Sequence, residues 1–173
     1  MGRWDTWYRN VINPEAYGLT ETYKKGADFL KDCSLVEDWG TGKGWFKLVF
    51  EGNCIGIDGS VTPFADKRVD LEMYTSEVPG IFMRHVLEHN YNWKYILTNA
   101  LRSFQEKMVL VLFTPESDVT KEIAFTNSIG VPDISFAFED LFFMFNKFNV
   151  DYEYETLETA TQYGVETIFF LRK

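Results

Sequence analysis

The sequence is short of the residues that build metal centres and disulfide frameworks. Its 173 residues include two cysteines, Cys33 and Cys54, and two histidines, His85 and His89. No Cys-x-x-Cys pair occurs, so a zinc site and a disulfide scaffold are both excluded and no metal is expected. Each cysteine adjoins an apolar run and reads as a reduced core thiol. Positive charge is scarce as well: 17 Lys and Arg stand against 26 Asp and Glu, a formal net charge of −9, with no basic stripe. A field of that sign repels phosphate backbones and anionic headgroups, so neither nucleic acid nor membrane is an expected partner. No run approaches membrane-spanning length, and the N-terminal region lacks the apolar segment of a secretion signal, which leaves the cytosol as the expected compartment. Met1 to Thr6 matches a short acylation pattern that is often met by chance, and it is read as coincidence. Repeats and low-complexity stretches are absent.

What is present is a folded composition, 46% hydrophobic and 17% aromatic with 16 phenylalanines, at a length that suits one domain over 1–173. Strand and helix patterns alternate along it. Leu19 to Asp32 reads as a helix capped by Thr20, and Ser34 to Trp39 as a strand. Gly44 to Glu51 reads as two helical turns with Trp45, Leu48 and Val49 inward, and Cys54 to Asp58 as a second strand. Lys67 to Leu71 is a weak third strand and Gly80 to His85 a fourth. A helix capped by Asn92 runs from Trp93 to Phe104, followed by the most apolar strand, Met108 to Phe113. Glu116 to Pro132 reads as a long loop of the kind that forms lids. A Phe-rich helix follows from Phe138 to Phe148. Its Phe143 lies off the main apolar face, which leaves deep burial and a homodimer surface as alternatives. Two strands, about Val150 to Thr156 and Val165 to Leu171, close the chain. The alternation predicts an α/β fold: a doubly wound, mostly parallel sheet with helices on both faces and a terminal antiparallel hairpin at one edge. Such a sheet binds ligands at the carboxyl ends of its central strands.

The most informative segment is Val36-Glu37-Asp38-Trp39-Gly40-Thr41-Gly42-Lys43-Gly44, a strand running into alternating glycines and then a helix. Glycine allows the tight turn and lets a ligand lie on bare backbone. Asp58 ends the next strand, where a ribose diol would be gripped. The dinucleotide fingerprint Gly-x-Gly-x-x-Gly would need glycine where Trp45 stands. Asp38 would also set a negative charge against a pyrophosphate, so a ligand with a cationic amino-acid end suits the loop better.

With Asp38 as its acid, Leu35 to Gly44 resembles the first motif of the class I S-adenosylmethionine-dependent methyltransferases. Trp39 is bulkier than usual there, and Glu37 is an acid where that motif has an apolar residue. Asp58 with Gly59 resembles the second motif, Asp70-Leu71 the third-strand element near the adenine, and Arg84 to His89 the Leu-Glu-His stretch after strand four. The resemblance spans about Tyr23 to Lys173 and implies sheet order 3-2-1-4-5-7-6 with the last strand antiparallel. It implies S-adenosylmethionine as cofactor, held by Asp38, Gly40, Thr41, Gly42, Gly44, Asp58, Gly59, Asp70, Leu71 and Arg84. A salt bridge is the alternative role for Arg84, and Glu88 is expected to contact loop backbone or the cofactor side. The implied reaction is in-line methyl transfer to a small-molecule or glycan-like acceptor.

His85 and His89, one helical turn apart at the mouth of strand four, are the catalytic candidates. Histidine is the side chain best tuned to take a proton near neutrality, and pocket lining is the alternative for both. Trp4, Trp7, Tyr8 and Tyr17 read as an aromatic lid, with core packing as the alternative for each. The rival readings are a nucleotide-dependent oxidoreductase on the same fold and a non-catalytic cofactor-binding partner subunit.

Overall fold

The computed structural model describes residues 4–173. The acylation pattern begins at Met1, outside the described residues. In chain order the elements are α1 (Asp5–Tyr8), α2 (Glu21–Leu30), β1 (Val36–Trp39), α3 (Trp45–Val49), β2 (Cys54–Asp58), β3 (Lys67–Arg68), β4 (Val78–Arg84), a 3-10 turn (Leu87–His89), α4 (Trp93–Ser103), β5 (Phe104–Leu112), β6 (Lys121–Thr126), β7 (Val131–Ser135), α5 (Phe138–Lys147), β8 (Asp151–Glu158) and β9 (Val165–Arg172).

Seven strands form one sheet in the order β3-β2-β1-β4-β5-β9-β8. The pairs among β1 to β5 are parallel. β9 is antiparallel to both β5 and β8. With β8 and β9 counted as the sixth and seventh strands, this is the expected order.

Strand residues point alternately to two covered faces. In β5, Met108, Leu110 and Leu112 join a core with Leu97 and Leu101 of α4 and Leu141 and Phe145 of α5. Val109 and Val111 join the opposite core with Tyr23 and Leu30 of α2 and Phe46 of α3. Burial on both sides is why these strands read as unbroken apolar runs. Among the described residues no helix is long and apolar enough to cross a membrane.

Several expectations are corrected. The segment from Glu116 to Pro132 is not a structureless loop: β6 and β7 form a separate antiparallel hairpin. Its strand signal is faint because β6 is almost wholly exposed and β7 carries Pro132, which demotes a strand pattern to an edge. In α3 the fully buried residue is Phe46, stacked on Phe82 at 3.8 Å between ring centroids; Trp45 and Val49 are partly buried and pack against the same core, whereas Leu48 is 60% exposed. The third strand is only Lys67–Arg68, and the fourth starts earlier, at Val78, with Pro79 accommodated beside a register shift. Thr20 and Asn92 stand at N-cap positions without side-chain capping bonds, and the Asn92 amide donates to Glu72 instead. On α5, Phe142 stacks on Tyr152 while Phe143 is 69% exposed.

Candidate functional site

The carboxyl ends of β1, β2 and β4 open onto a cavity of about 1020 Å³. Its floor is the glycine loop. Gly40 has φ +80, and a Cβ there would lie 2.3 Å from Val86 Cγ2, so bare backbone is obligatory at that point. The Gly40 and Thr41 amides donate to the Ile57 carbonyl at 2.8 and 3.0 Å. Asp58 then clamps the loop from the neighbouring strand. Its Oδ2 accepts from the Gly42 amide at 2.9 Å and its Oδ1 from the Ser60 amide at 2.8 Å. Burial raises the Asp58 carboxyl above the usual range, and these amides oppose that rise.

Asp38 is buried at the end of β1 and lines the same cavity. Burial pushes its carboxyl up to about 7, against the pull of the Thr41 hydroxyl and with the Asp58 charge adding to the rise. Gly59, Asp70 and Leu71 also line the cavity. Gly44 does not. It starts α3 at φ +73, and its missing side chain leaves room for Phe64, whose Cγ a Cβ would meet at 2.6 Å. At this position the missing side chain serves packing. Glu37, the unexpected acid of the motif, is buried and accepts from Trp39 Nε1, Ser76 Oγ and the Tyr74 hydroxyl at 2.9, 2.7 and 2.9 Å.

At the end of β4 the Arg84 guanidinium is buried and its donors go largely to the protein. It donates to Thr22 Oγ1 (3.2 Å), the Tyr23 hydroxyl (2.9 Å), the Tyr17 carbonyl (2.8 Å) and Glu166 of β9. The same Glu166 oxygen lies 2.6 Å from His85 Nε2. His85 has φ +56, a conformation sparsely used outside glycine, and it is held there next to a fully buried carboxylate. Burial, followed by the charges of Arg84 and His89, holds His85 well below the ordinary histidine value, so it is neutral at pH 7.

His89 sits at the end of the 3-10 turn with Nδ1 3.0 Å from the Pro132 carbonyl and 3.3 Å from Asp133 Oδ1. Burial disfavours its protonation, but the Asp133 bond, the Glu88 charge and the Pro132 carbonyl together hold it above the ordinary value. Asp133 also accepts from the Tyr163 hydroxyl at 2.8 Å and Gln162 Nε2 at 3.4 Å. The N-terminal segment covers this side. Trp4 stands 5.0 Å from the His89 ring, Tyr8 stacks on Trp4, and Asp5 accepts from the Val61 amide at 2.8 Å.

Glu166 and Asp133 escaped the sequence reading. The signal was there: each is a lone acid inside a short apolar strand, Val165 to Leu171 and Val131 to Ser135. An acid placed so is buried and therefore partnered.

Glu88 is fully buried, with Oε1 accepting from the Phe113 amide at 2.7 Å and Oε2 meeting no hydrogen-bond partner among the described residues. Burial pushes its carboxyl up to about 7 from an ordinary 4.5. The folded protein then keeps a proton that the unfolded chain has released. That contribution to stability is complete below about pH 4.5 and is lost as pH rises through about 7. Asp38 acts in the same direction. Thermal melts at pH 5 and pH 8 are expected to show lower stability at pH 8, by roughly 1–3 kcal/mol per group. Glu88→Gln should flatten the dependence. Equal slopes in the two proteins would refute the assignment to Glu88.

No protein-family model and no curated protein matches the chain. Solved structures do. The Burkholderia thailandensis 1,6-didemethyltoxoflavin-N1-methyltransferase, crystallised with 1,6-didemethyltoxoflavin and S-adenosylhomocysteine, superposes with a TM-score of 0.72 at 11% identity, over 98% of this chain and 81% of that one. The magnesium protoporphyrin IX methyltransferase from Synechocystis PCC 6803, with S-adenosylhomocysteine bound, gives 0.66 at 13% identity, over 99% and 93%. At that identity the likeness is one of architecture: the chain has the fold of the class I S-adenosylmethionine-dependent methyltransferases.

Proposed function

We propose that the protein is an S-adenosylmethionine-dependent methyltransferase acting on a small molecule. The observation that carries this reading is the pairing of bare backbone at Gly40 and Gly42 with two buried acids, Asp38 and Asp58, inside one cavity of about 1020 Å³. That volume lies at the upper end for small-molecule sites, roughly 300–1,000 Å³, and suits a nucleoside ligand together with an acceptor. The donor set fits the cofactor. Each Asp58 oxygen takes one backbone amide, and a carboxylate oxygen has a further lone pair for a ribose hydroxyl. Asp38 suits a cationic amino-acid end, with Thr41 beside it, and Asp70 and Leu71 flank the adenine end.

When bound, S-adenosylmethionine supplies a methyl group on a cationic sulfur that departs as a neutral thioether. The chain's own task is to align the acceptor and exclude water. Trp4, Trp7, Tyr8 and the β6–β7 hairpin enclose the cavity for that purpose. Arg84 positions the site through Glu166 and Tyr23. His85 lines the cavity as a neutral ring. The 173 residues act as one catalytic unit in the cytosol, and the net charge of −9 favours a small-molecule acceptor over a nucleic acid.

Calorimetry with S-adenosylmethionine, S-adenosylhomocysteine and NAD tests the reading. Both sulfur nucleosides are expected to bind and NAD is not. Binding of NAD alone would instead support an oxidoreductase on the same fold.

A further inference from the structure

Glu37 stands where the first motif carries an apolar residue, and the methyl-transfer reading gives it no task. Along β1, Glu37 and Trp39 alternate with Val36 and Asp38, so Glu37 leaves the sheet on the face opposite Asp38. Its side chain is 3% exposed and collects four donors. Oε2 accepts from Trp39 Nε1 at 2.9 Å and from Ser76 Oγ at 2.7 Å. Oε1 accepts from the Tyr74 hydroxyl at 2.9 Å and from Lys67 Nζ at 3.4 Å.

Three of those donors, Lys67, Tyr74 and Ser76, belong to the stretch that leads from β3 to β4. Burying an acid is costly even when it is fully hydrogen-bonded, and an apolar residue would fill the same place without that cost. What the acid adds is a fixed position for this stretch.

The stretch needs fixing. The Val69 amide donates to the Asp58 carbonyl at 2.9 Å, and from there to Val78 the chain runs without strand or α-helix. Yet Val69, Asp70, Leu71 and Glu72 form one wall of the cavity. From the helix side α4 holds it: Asn99 Nδ2 donates to the Leu71 and Glu72 carbonyls at 3.0 and 2.9 Å, and Ser103 Oγ accepts from the Ser76 amide at 2.9 Å. From the sheet side Glu37 holds it, with the Tyr74 ring 5.3 Å from the Trp39 ring. The wall is thus pinned between β1 and α4. The Asp58 and Asp38 ends of the site are anchored separately, on β2 and β1 themselves.

Resting on the methyl-transfer reading, we propose that Glu37 is a positioning residue for the adenine end of the cofactor. By tying Lys67, Tyr74 and Ser76 to β1, it holds the Val69 to Glu72 wall at the distance that the base requires. It acts through that wall and touches no ligand.

Calorimetry with S-adenosylhomocysteine and S-ribosylhomocysteine tests this. The second ligand keeps the amino acid and the sugar and lacks the base. Glu37→Leu puts an apolar residue in the same place and releases the stretch. It should raise the Kd of S-adenosylhomocysteine roughly 3- to 30-fold, the range for residues that act through others, and leave that of S-ribosylhomocysteine unchanged. Glu37→Gln should keep most of the affinity. Its amide oxygen can still accept from Trp39 and Ser76, and its NH2 can donate to the Tyr74 hydroxyl, which accepts as well as donates. Tyr74→Phe cuts one tie without altering β1. It should show a smaller loss for S-adenosylhomocysteine alone, and it keeps the test open if Glu37→Leu does not fold. A merely structural role would lower the melting temperature and weaken both ligands alike or neither, and either result overturns the proposal. A Glu37→Gln protein as weak as Glu37→Leu overturns it too. Failure of the wild-type protein to bind S-adenosylhomocysteine overturns the methyl-transfer reading instead.

Discussion

Glu166→Ala is expected to lower the stability of the protein by roughly 3–5 kcal/mol, the usual consequence of stranding a buried charge. Glu166 is fully buried on β9 and faces Arg84, His85 and Thr22 at once. Removing it leaves the buried Arg84 guanidinium without its counterion and His85 Nε2 without its acceptor. It also frees His85 to leave its left-handed conformation, so the end of β4 should loosen. Urea denaturation measures the loss. The double variant Arg84→Met with Glu166→Leu should recover much of it, because an apolar pair avoids the desolvation cost that the ion pair carries. A Glu166→Ala protein as stable as the wild type would show that Arg84 reaches solvent, contrary to its burial.

How far the sequence reveals this structure follows from where each residue's partner lies. The central strands were readable because both of their faces are covered, which forces continuous apolar runs. The glycine loop was readable because Gly40 must be glycine for steric reasons that leave a visible spacing. Arg84, His85 and His89 were readable as a group by their position after β4. Their partners were not. Glu166 and Asp133 lie 81 residues beyond His85 and 44 beyond His89, on strands whose approach to β4 is a matter of tertiary topology. The hairpin that delivers Asp133 was misread as a loop because β6 is almost wholly exposed and the buried β7 carries Pro132 and Asp133 in place of an unbroken apolar run. In α3 Trp45 and Val49 pack against the core as expected, but Phe46 was missed and Leu48 misplaced. The left-handed Gly44 sets the direction in which the helix leaves the loop, and five residues are too few for periodicity to show which face turns inward.

Asp58→Ala is expected to weaken S-adenosylhomocysteine binding by about 1.5–3 kcal/mol, an increase in Kd of roughly 10- to 150-fold. Two effects combine there. The carboxylate is placed to accept from the ribose hydroxyls, and it already holds the Gly42 and Ser60 amides that shape the loop. The second effect means that the variant should also lose some thermal stability, unlike a solvated loop acid. The two contributions separate with a ligand lacking the ribose 2′-hydroxyl. If Asp58 binds the diol, the wild type should prefer S-adenosylhomocysteine to its 2′-deoxy analogue, and Asp58→Ala should bind the two nearly alike. If Asp58 acts only by clamping the loop, the variant should weaken both ligands equally and keep the preference of the wild type. Asp58→Asn adds a further discrimination. Its carbonyl oxygen can still accept one amide, but its NH2 group confronts the other backbone donor, so it should resemble alanine more than aspartate at the loop. Calorimetric titration of the three proteins with both ligands decides the matter, and unchanged affinity in a folded Asp58→Ala protein removes Asp58 from the site.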